Sequence, residues 1–154
     1  MKQISFVFIF LTINFGGLVI GSFLMNDGPT SEWYSNLNKA PWTPPGWVFG
    51  VAWTAIMIFF SIYLAKLFTT ETNKKFIFSI FLIEFIFNVS WNYLFFNQQL
   101  VFAALISIIL LTAIIFYFYF NLSKNIGKYK YLLLPYMIWL CIATSLNLFV
   151  LVNN

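Results

Sequence analysis

The stretch Leu37–Trp53, LNKAPWTPPGWVFGVAW, holds three of the six tryptophans of the chain and three of its five prolines. Proline fixes φ near −65°, and Pro44 and Pro45 also push the residue before each of them towards extended backbone. Residues 41–44 are therefore predicted to be stiff and non-helical. Pro45 is predicted to be the first residue of a helix, where its missing N–H costs nothing.

The tryptophans of this stretch differ in depth along the predicted helix. An aromatic belt at a membrane surface explains Trp42 and Trp47. It explains Trp53 less well, because Trp53 lies about 9 Å deeper than Trp47 at a rise of 1.5 Å per residue. The two residues also point about 120° apart, so at most one of them looks squarely into the bundle.

Composition sets the class of protein. Hydrophobic residues make up 62% of the 154 residues and charged residues only 8%, which leaves a soluble domain without a polar surface but suits a helical membrane bundle. Cys141 is the single cysteine and histidine is absent, so an intramolecular disulfide and a histidine metal site are excluded. We expect residues 1–154 to form one integral membrane domain.

Five apolar segments are long enough to cross about 30 Å of hydrocarbon. They are residues 4–25, 45–68, 76–96, 100–122 and 131–152. The first is longer than the apolar part of a signal peptide and lacks a good cleavage site, so we interpret it as a helix. Within it, Gly17-x-x-x-Gly21 permits close helix contact, either inside the bundle or in a dimer. The predicted fold is an all-α bundle of five transmembrane helices.

The long connection, residues 26–44, is predicted to hold a short helix. Ser31 or Thr30 is suited to cap it, and Trp33, Tyr34 and Leu37 give it an apolar face. This face suits a lid over the end of the bundle or an anchor in the membrane interface, and the sequence leaves both readings open.

Lysine placement predicts the orientation. Five spans alternate in direction, which puts seven of the eight lysines on the side of the N-terminus and Lys39 alone on the other. Because lysine and arginine accumulate on the cytoplasmic side, we expect the N-terminus to be cytoplasmic, and the C-terminus and the loop 26–44 to be outside.

Polar residues inside the spans are informative because they are costly in lipid. Glu84, Asn88, Trp91 and Phe95 share one face of the third span through steps of three and four residues. A matching stripe on the fifth span consists of Tyr136, Trp139, Ala143, Leu146 and Asn147. The stripes predict either a ligand cavity, in which a protonated Glu84 would donate a hydrogen bond, or interhelical hydrogen bonds from Asn14, Asn88, Asn92 and Asn147.

Several motifs together resemble the tryptophan-rich sensory protein/translocator protein family (TspO/MBR, also known as the peripheral benzodiazepine receptor). They are Trp33-Tyr34, Leu37-Asn38-Lys39, Trp42-Thr43-Pro44-Pro45, Trp53, Asn88-x-x-Trp91, Leu94-Phe95-Phe96, Pro135-Tyr136-x-x-Trp139 and Ala143-Thr144-x-Leu146-Asn147. The resemblance covers all five spans in order. It implies a bundle that is usually dimeric, with a pocket under the first loop that binds porphyrins and, in several members, isoquinoline or benzodiazepine drugs and sterols. Some bacterial members also promote light-dependent breakdown of protoporphyrin.

The resemblance also implies which residues bind the ligand. They are Tyr34, Pro44, Trp53, Asn88, Trp91, Trp139, Ala143 and Leu146, to which the polar stripe adds Glu84. Trp53 and Trp139 are the residues to which we assign a photochemical role. The end of the chain, LNLFVLVNN, lacks the Tyr and Lys or Arg of a cholesterol-recognition pattern, so sterol binding through that pattern is not expected.

Three functional classes follow from these features. The first is a tetrapyrrole-binding receptor or sensor, with porphyrin as ligand and no obligatory cofactor. The second is a transporter of tetrapyrroles or other small hydrophobic ligands, which the absence of internal repeats disfavours. The third is an enzyme, which the lack of a nucleophile paired with a base disfavours. The expected partners are the lipid bilayer and a second copy of the chain, and no nucleic acid.

Overall fold

The computed structural model describes residues 2–154, which form helices and, within that range, no strand. The helices are α1 (Lys2–Leu24), α2 (Glu32–Asn36), α3 (Gly46–Thr70), α4 (Lys74–Asn92), α5 (Val101–Tyr117) and α6 (Leu134–Asn153). Among the described residues, five helices are long and apolar enough to cross a membrane. The all-α prediction of five transmembrane helices with a short helix in the first connection is confirmed.

Irregular turns extend three of these helices. A π-helical turn at Tyr93–Asn97 continues α4, another at Phe118–Leu122 continues α5, and a 3-10 turn at Gly127–Leu133 leads into α6. The connection between the third and fourth spans is short, as predicted, and makes α4 and α5 antiparallel neighbours.

The five long helices form a ring. α1 packs against α3 and α4, and α5 packs against α4 and α6. The ring is closed by α3, which packs closely on the turn before α6 and less closely on α6 itself. The second half of α6 packs instead on the segment before α3, where Trp42 contacts Ser145 and Phe149.

The start of α3 differs from the prediction by one residue. The helix begins at Gly46, and Pro45 precedes it in extended conformation with ψ of 147°. The carbonyl of Pro45 already accepts a hydrogen bond from the amide of Val48 at 2.9 Å, so Pro45 occupies the capping position. The segment 41–44 before the helix is non-helical, as predicted. Within it, the Thr43 amide donates a hydrogen bond to the Ala40 carbonyl at 2.9 Å and closes a turn at Pro41.

The glycine stripe of α1 lies inside the bundle. A Cβ on Gly17 would come within 2.7 Å of the ring of Phe85, and a Cβ on Gly21 within 2.7 Å of the amide nitrogen of Asn92. Both neighbours belong to α4. Of the two uses predicted for this stripe, the structure shows close packing within one chain.

Candidate ligand site

The short helix α2 lies over the end of α4. The Ser31 hydroxyl accepts a hydrogen bond from the Tyr34 amide at 3.2 Å and so caps the helix. The ring of Trp33 lies 5.6 Å from that of Phe95, edge to face, and the ring of Tyr34 lies 5.3 Å from that of Phe96. This packing is the one expected of a lid, and α2 is called the lid below.

Tyr34 contacts Lys39 as well as Phe96. The ammonium of Lys39 lies 4.6 Å from the centre of its ring, a cation–π distance. Burial raises the pKa of the Tyr34 phenol above its ordinary value, because desolvation disfavours the charged phenolate.

Below the lid, Trp91 joins α4 to α6. Its ring is stacked on Phe95 with centroids 5.0 Å apart and planes 15° apart. Its indole nitrogen donates to the Asn147 side-chain oxygen at 3.0 Å, and the Asn147 amide nitrogen donates to the Val101 carbonyl at 3.0 Å. One buried amide therefore links α4, α5 and α6.

Glu84 and Asn88 meet the C-terminal helix through Tyr136. The Tyr136 hydroxyl donates to Glu84 Oε1 at 2.6 Å and accepts from the amide of Asn88 at 2.6 Å. Asn88 also lies 3.4 Å from the same carboxyl oxygen. Glu84 is 2% exposed, and its Oε1 accepts hydrogen bonds from both Tyr136 and Asn88 within the protein. Donation from a protonated Glu84 to a ligand stays a prediction.

Two aromatic pairs line the interface between α3 and α6. The rings of Phe49 and Trp139 lie 5.2 Å apart at 83°, and those of Trp53 and Tyr136 lie 5.9 Å apart at 75°. Phe49 and Trp53 are one turn apart on α3, and Tyr136 and Trp139 are nearly one turn apart on the antiparallel α6. Trp53 and Trp139 therefore share one interface, where the ring of helices is packed least closely.

The indole nitrogen of Trp139 is exceptional. Trp139 is 7% exposed. Within residues 2–154, its Nε1 is the buried side-chain polar atom without a hydrogen-bond partner. A buried donor without an acceptor is costly and rare in folded proteins, so this N–H needs an explanation.

The two shallow tryptophans lie outside this interface. Trp47 is 71% exposed and faces away from the bundle, which agrees with the prediction that at most one of Trp47 and Trp53 points inward. Trp42 lies on α6, where its indole nitrogen donates to Ser145 at 3.1 Å and its ring meets Phe149 at 5.5 Å.

The remaining predicted residues lie around these groups. Pro44 is half-buried just before α3, and Ala143 and Leu146 are half-buried on α6. Ala143 packs against the main apolar core. The predicted residues thus fall into a group under the lid, a group between α3 and α6, and the Glu84–Asn88 pair, which Tyr136 joins to the second group.

The alternative of interhelical hydrogen bonding is confirmed for three of the four asparagines. Asn14 on α1 donates to Ser61 on α3 at 2.9 Å, and Asn88 and Asn147 bond to α6 and α4, respectively. The polar stripes therefore hold the helices together. The groups left free to meet a ligand are the aromatic faces between α3 and α6 and the indole N–H of Trp139.

Sequence reasoning missed Phe49 and did not assign Tyr136 its contacts. Tyr136 was part of the predicted stripe, but only the packing shows that it bonds Glu84 and contacts Trp53. Phe49 is one of 21 phenylalanines, and no local pattern distinguishes it. No group of His, Cys, Asp or Glu in residues 2–154 is arranged to hold a metal ion.

Five membrane-crossing helices, a lid and an aromatic interface beneath it define a multi-pass integral membrane protein. The TspO/MBR family model matches residues 8–152, and the chain belongs to the TspO/MBR family. It is 33% identical over 149 residues to the tryptophan-rich protein TspO of Bacillus cereus, covering 96% of this chain and 94% of that one.

Two further relatives extend the comparison. The chain is 33% identical to the tryptophan-rich sensory protein of Cereibacter sphaeroides, covering 75% of this chain and 73% of that one. It is 28% identical to the human translocator protein, covering 85% of this chain and 79% of that one.

Proposed function

We propose that this protein is a membrane receptor that binds a flat tetrapyrrole, such as a porphyrin, between α3 and α6 beneath the lid. The observation that carries the proposal is the buried indole N–H of Trp139, which has no acceptor within residues 2–154. A ligand with a carboxylate or carbonyl oxygen would supply that acceptor. The donor then contributes to binding instead of remaining unsatisfied.

The aromatic residues around Trp139 suit a flat ligand. Phe49, Trp53 and Tyr136 present ring faces and edges to one interface, and aromatic rings stack on flat macrocycles over a large apolar area. Insertion between α3 and α6 separates the helix pair that packs least closely, so it breaks few contacts. The connection from the lid to α3 packs on the second half of α6 and would cover a ligand bound between the two helices.

We propose that such a receptor senses or limits free porphyrin, and that light-dependent oxidation of the bound porphyrin accompanies binding. The oxidant would be dissolved oxygen, activated by the excited porphyrin. Trp53 and Trp139 would lie against the ring, where an electron-rich indole can react or pass an electron. Isoquinoline and benzodiazepine drugs are flat enough to use the same interface.

The orientation and assembly are part of the proposal. We propose that the N-terminus lies in the cytoplasm of a bacterial cell and that the lid faces outwards, since seven of eight lysines belong to the N-terminal side. We further propose that two copies form a homodimer.

Binding is tested by fluorescence of the purified protein. Saturable quenching of tryptophan emission by protoporphyrin, with a midpoint in the micromolar range, is expected because indoles line the interface. Tyr136→Ala should raise the protoporphyrin concentration at the quenching midpoint. Trp47→Phe, at an exposed position, should leave this concentration unchanged. Absence of quenching at tens of micromolar would contradict the proposal.

Two further measurements separate receptor from transporter and enzyme. Protein in liposomes should bind labelled porphyrin without carrying it to the inner volume. Porphyrin should remain intact in darkness. Net flux would favour the transporter, and turnover in darkness would favour the enzyme.

A further inference from the structure

A basic cavity lies at the end of the bundle opposite the lid. It has a volume of about 580 Å³ and is lined by Lys124, Lys128 and Lys130 together with Tyr119, Phe120 and Tyr131. It lies where the span Val101–Leu122 ends and the span Gly127–Asn153 begins. The cavity therefore lies at the boundary between apolar spans and water.

The walls of this cavity are basic. Lys124 and Lys128 are exposed, and the ammonium of Lys130 lies 5.6 Å from the ring centre of Tyr119 and 5.3 Å from that of Tyr131. None of the described residues that line it is acidic. Three positive charges thus face one cavity without a carboxylate among them.

The acid closest to this cavity along the connections is hydrogen-bonded to the segment that carries Lys124 and does not line the cavity itself. Glu71, which follows α3, accepts a hydrogen bond from the Asn125 amide at 2.9 Å. Gly127 then takes a φ of +57°, a conformation open to glycine. The chain reverses at Gly127, so that Lys124 and Lys128 line the same cavity from either side of the turn.

The cavity also has apolar walls on the side of the spans. Phe120 is 62% exposed and Tyr131 is 53% exposed, which suits contact with lipid near the interface. A free phosphate ion is much smaller than 580 Å³ and would use only the lysines. A phospholipid would contact both the lysines and the aromatic rings, with its phosphate on the lysines and its glycerol and upper acyl chains on the rings.

We propose that this cavity binds the headgroup of an anionic phospholipid, such as phosphatidylglycerol. Basic pockets between membrane helices bind anionic lipid headgroups in this way. The site is independent of the ligand site under the lid, and it would let anionic lipid tie the ends of α5 and α6 together.

The test compares lipids on purified protein in neutral detergent. Native mass spectrometry should show phosphatidylglycerol bound at least about tenfold more tightly than phosphatidylcholine, since each lysine near a surface attracts anionic lipid by a fewfold factor. The double substitution Lys124→Gln/Lys128→Gln should weaken phosphatidylglycerol binding about tenfold. Lys124→Arg/Lys128→Arg should retain it.

The matched control removes the same charge elsewhere on the same end. Lys74 and Lys75 are exposed and do not line the cavity, so Lys74→Gln/Lys75→Gln should bind phosphatidylglycerol within about twofold of the parent. Equal losses in the two Gln variants would mean general charge attraction and would overturn the site. Competition by glycerol phosphate at equal concentration would overturn the lipid assignment in favour of a soluble phosphate.

Discussion

The side chain of Asn154 exchanges two hydrogen bonds with the backbone of Asn38. Its oxygen accepts from the Asn38 amide at 2.8 Å, and its nitrogen donates to the Asn38 carbonyl at 3.2 Å. Asn38 follows the lid by two residues, and Asn154 follows α6 directly. The end of α6 and the connection behind the lid are therefore fastened to each other.

This pair predicts that Asn154→Ala loosens the connection behind the lid. Loss of the hydrogen bond to the Asn38 amide should speed its hydrogen exchange roughly fivefold, equivalent to about 1 kcal/mol. Exchange resolved by NMR measures this directly. Asn153→Ala is the control, because Asn153 bonds only back to Phe149 within α6, at 2.9 Å. Equal exchange in both variants would show that Asn154 does not hold the connection.

The two tryptophans between α3 and α6 predict a photochemical effect. Trp53→Phe and Trp139→Phe should each keep much of the porphyrin affinity, since a phenyl ring still stacks. Each should slow the light-dependent loss of porphyrin absorbance by about twofold or more, because the electron-rich indole is gone. The measurement is absorbance under constant illumination, beside a dark sample.

The control for the photochemical prediction is Trp47→Phe. Trp47 lies on the same helix as Trp53 but is 71% exposed on the outer face, so its loss should leave the rate unchanged. Trp42→Phe is a second control, since Trp42 lies on Ser145 outside the aromatic pairs. A slow rate in either control, or a parental rate in both test variants, would refute the assignment.

The central position of Tyr136 predicts a loss of stability in Tyr136→Phe. The ring remains to pack on Trp53, but Glu84 loses a donor and Asn88 loses an acceptor. In a membrane bundle such a loss costs about 1 kcal/mol, which should lower the midpoint of thermal unfolding in detergent by a few degrees. Tyr93→Phe, at an exposed tyrosine, should leave the midpoint unchanged, and a matching drop there would contradict this role.

The proposed orientation is tested with single cysteines in a Cys141→Ser background. Asn36 in the lid and Thr72 between α3 and α4 are both exposed. On intact cells a membrane-impermeant maleimide should label Asn36→Cys and should label Thr72→Cys only after lysis, because the lysine-rich end is expected inside. The opposite pattern would overturn the lysine argument.

The sequence predicted the helices well because their length and apolar character depend on local composition. It placed the start of α3 one residue early, at Pro45, because proline suits both the cap and the first turn. It did not predict that Phe49 meets Trp139, or that Tyr136 bonds Glu84. Those contacts depend on the register between helices far apart in sequence, which packing alone determines.

Gly17 and Gly21 lie against Phe85 and Asn92 of the same chain, so this face of α1 is closed to a neighbouring molecule. Most of the outer surface that a second copy would meet carries bulky, lipid-facing side chains such as Phe23, which is 81% exposed. Contacts of that kind compete directly with acyl chains, which are equally apolar. The strength of such an assembly would then vary with the thickness and composition of the bilayer more than with any one glycine.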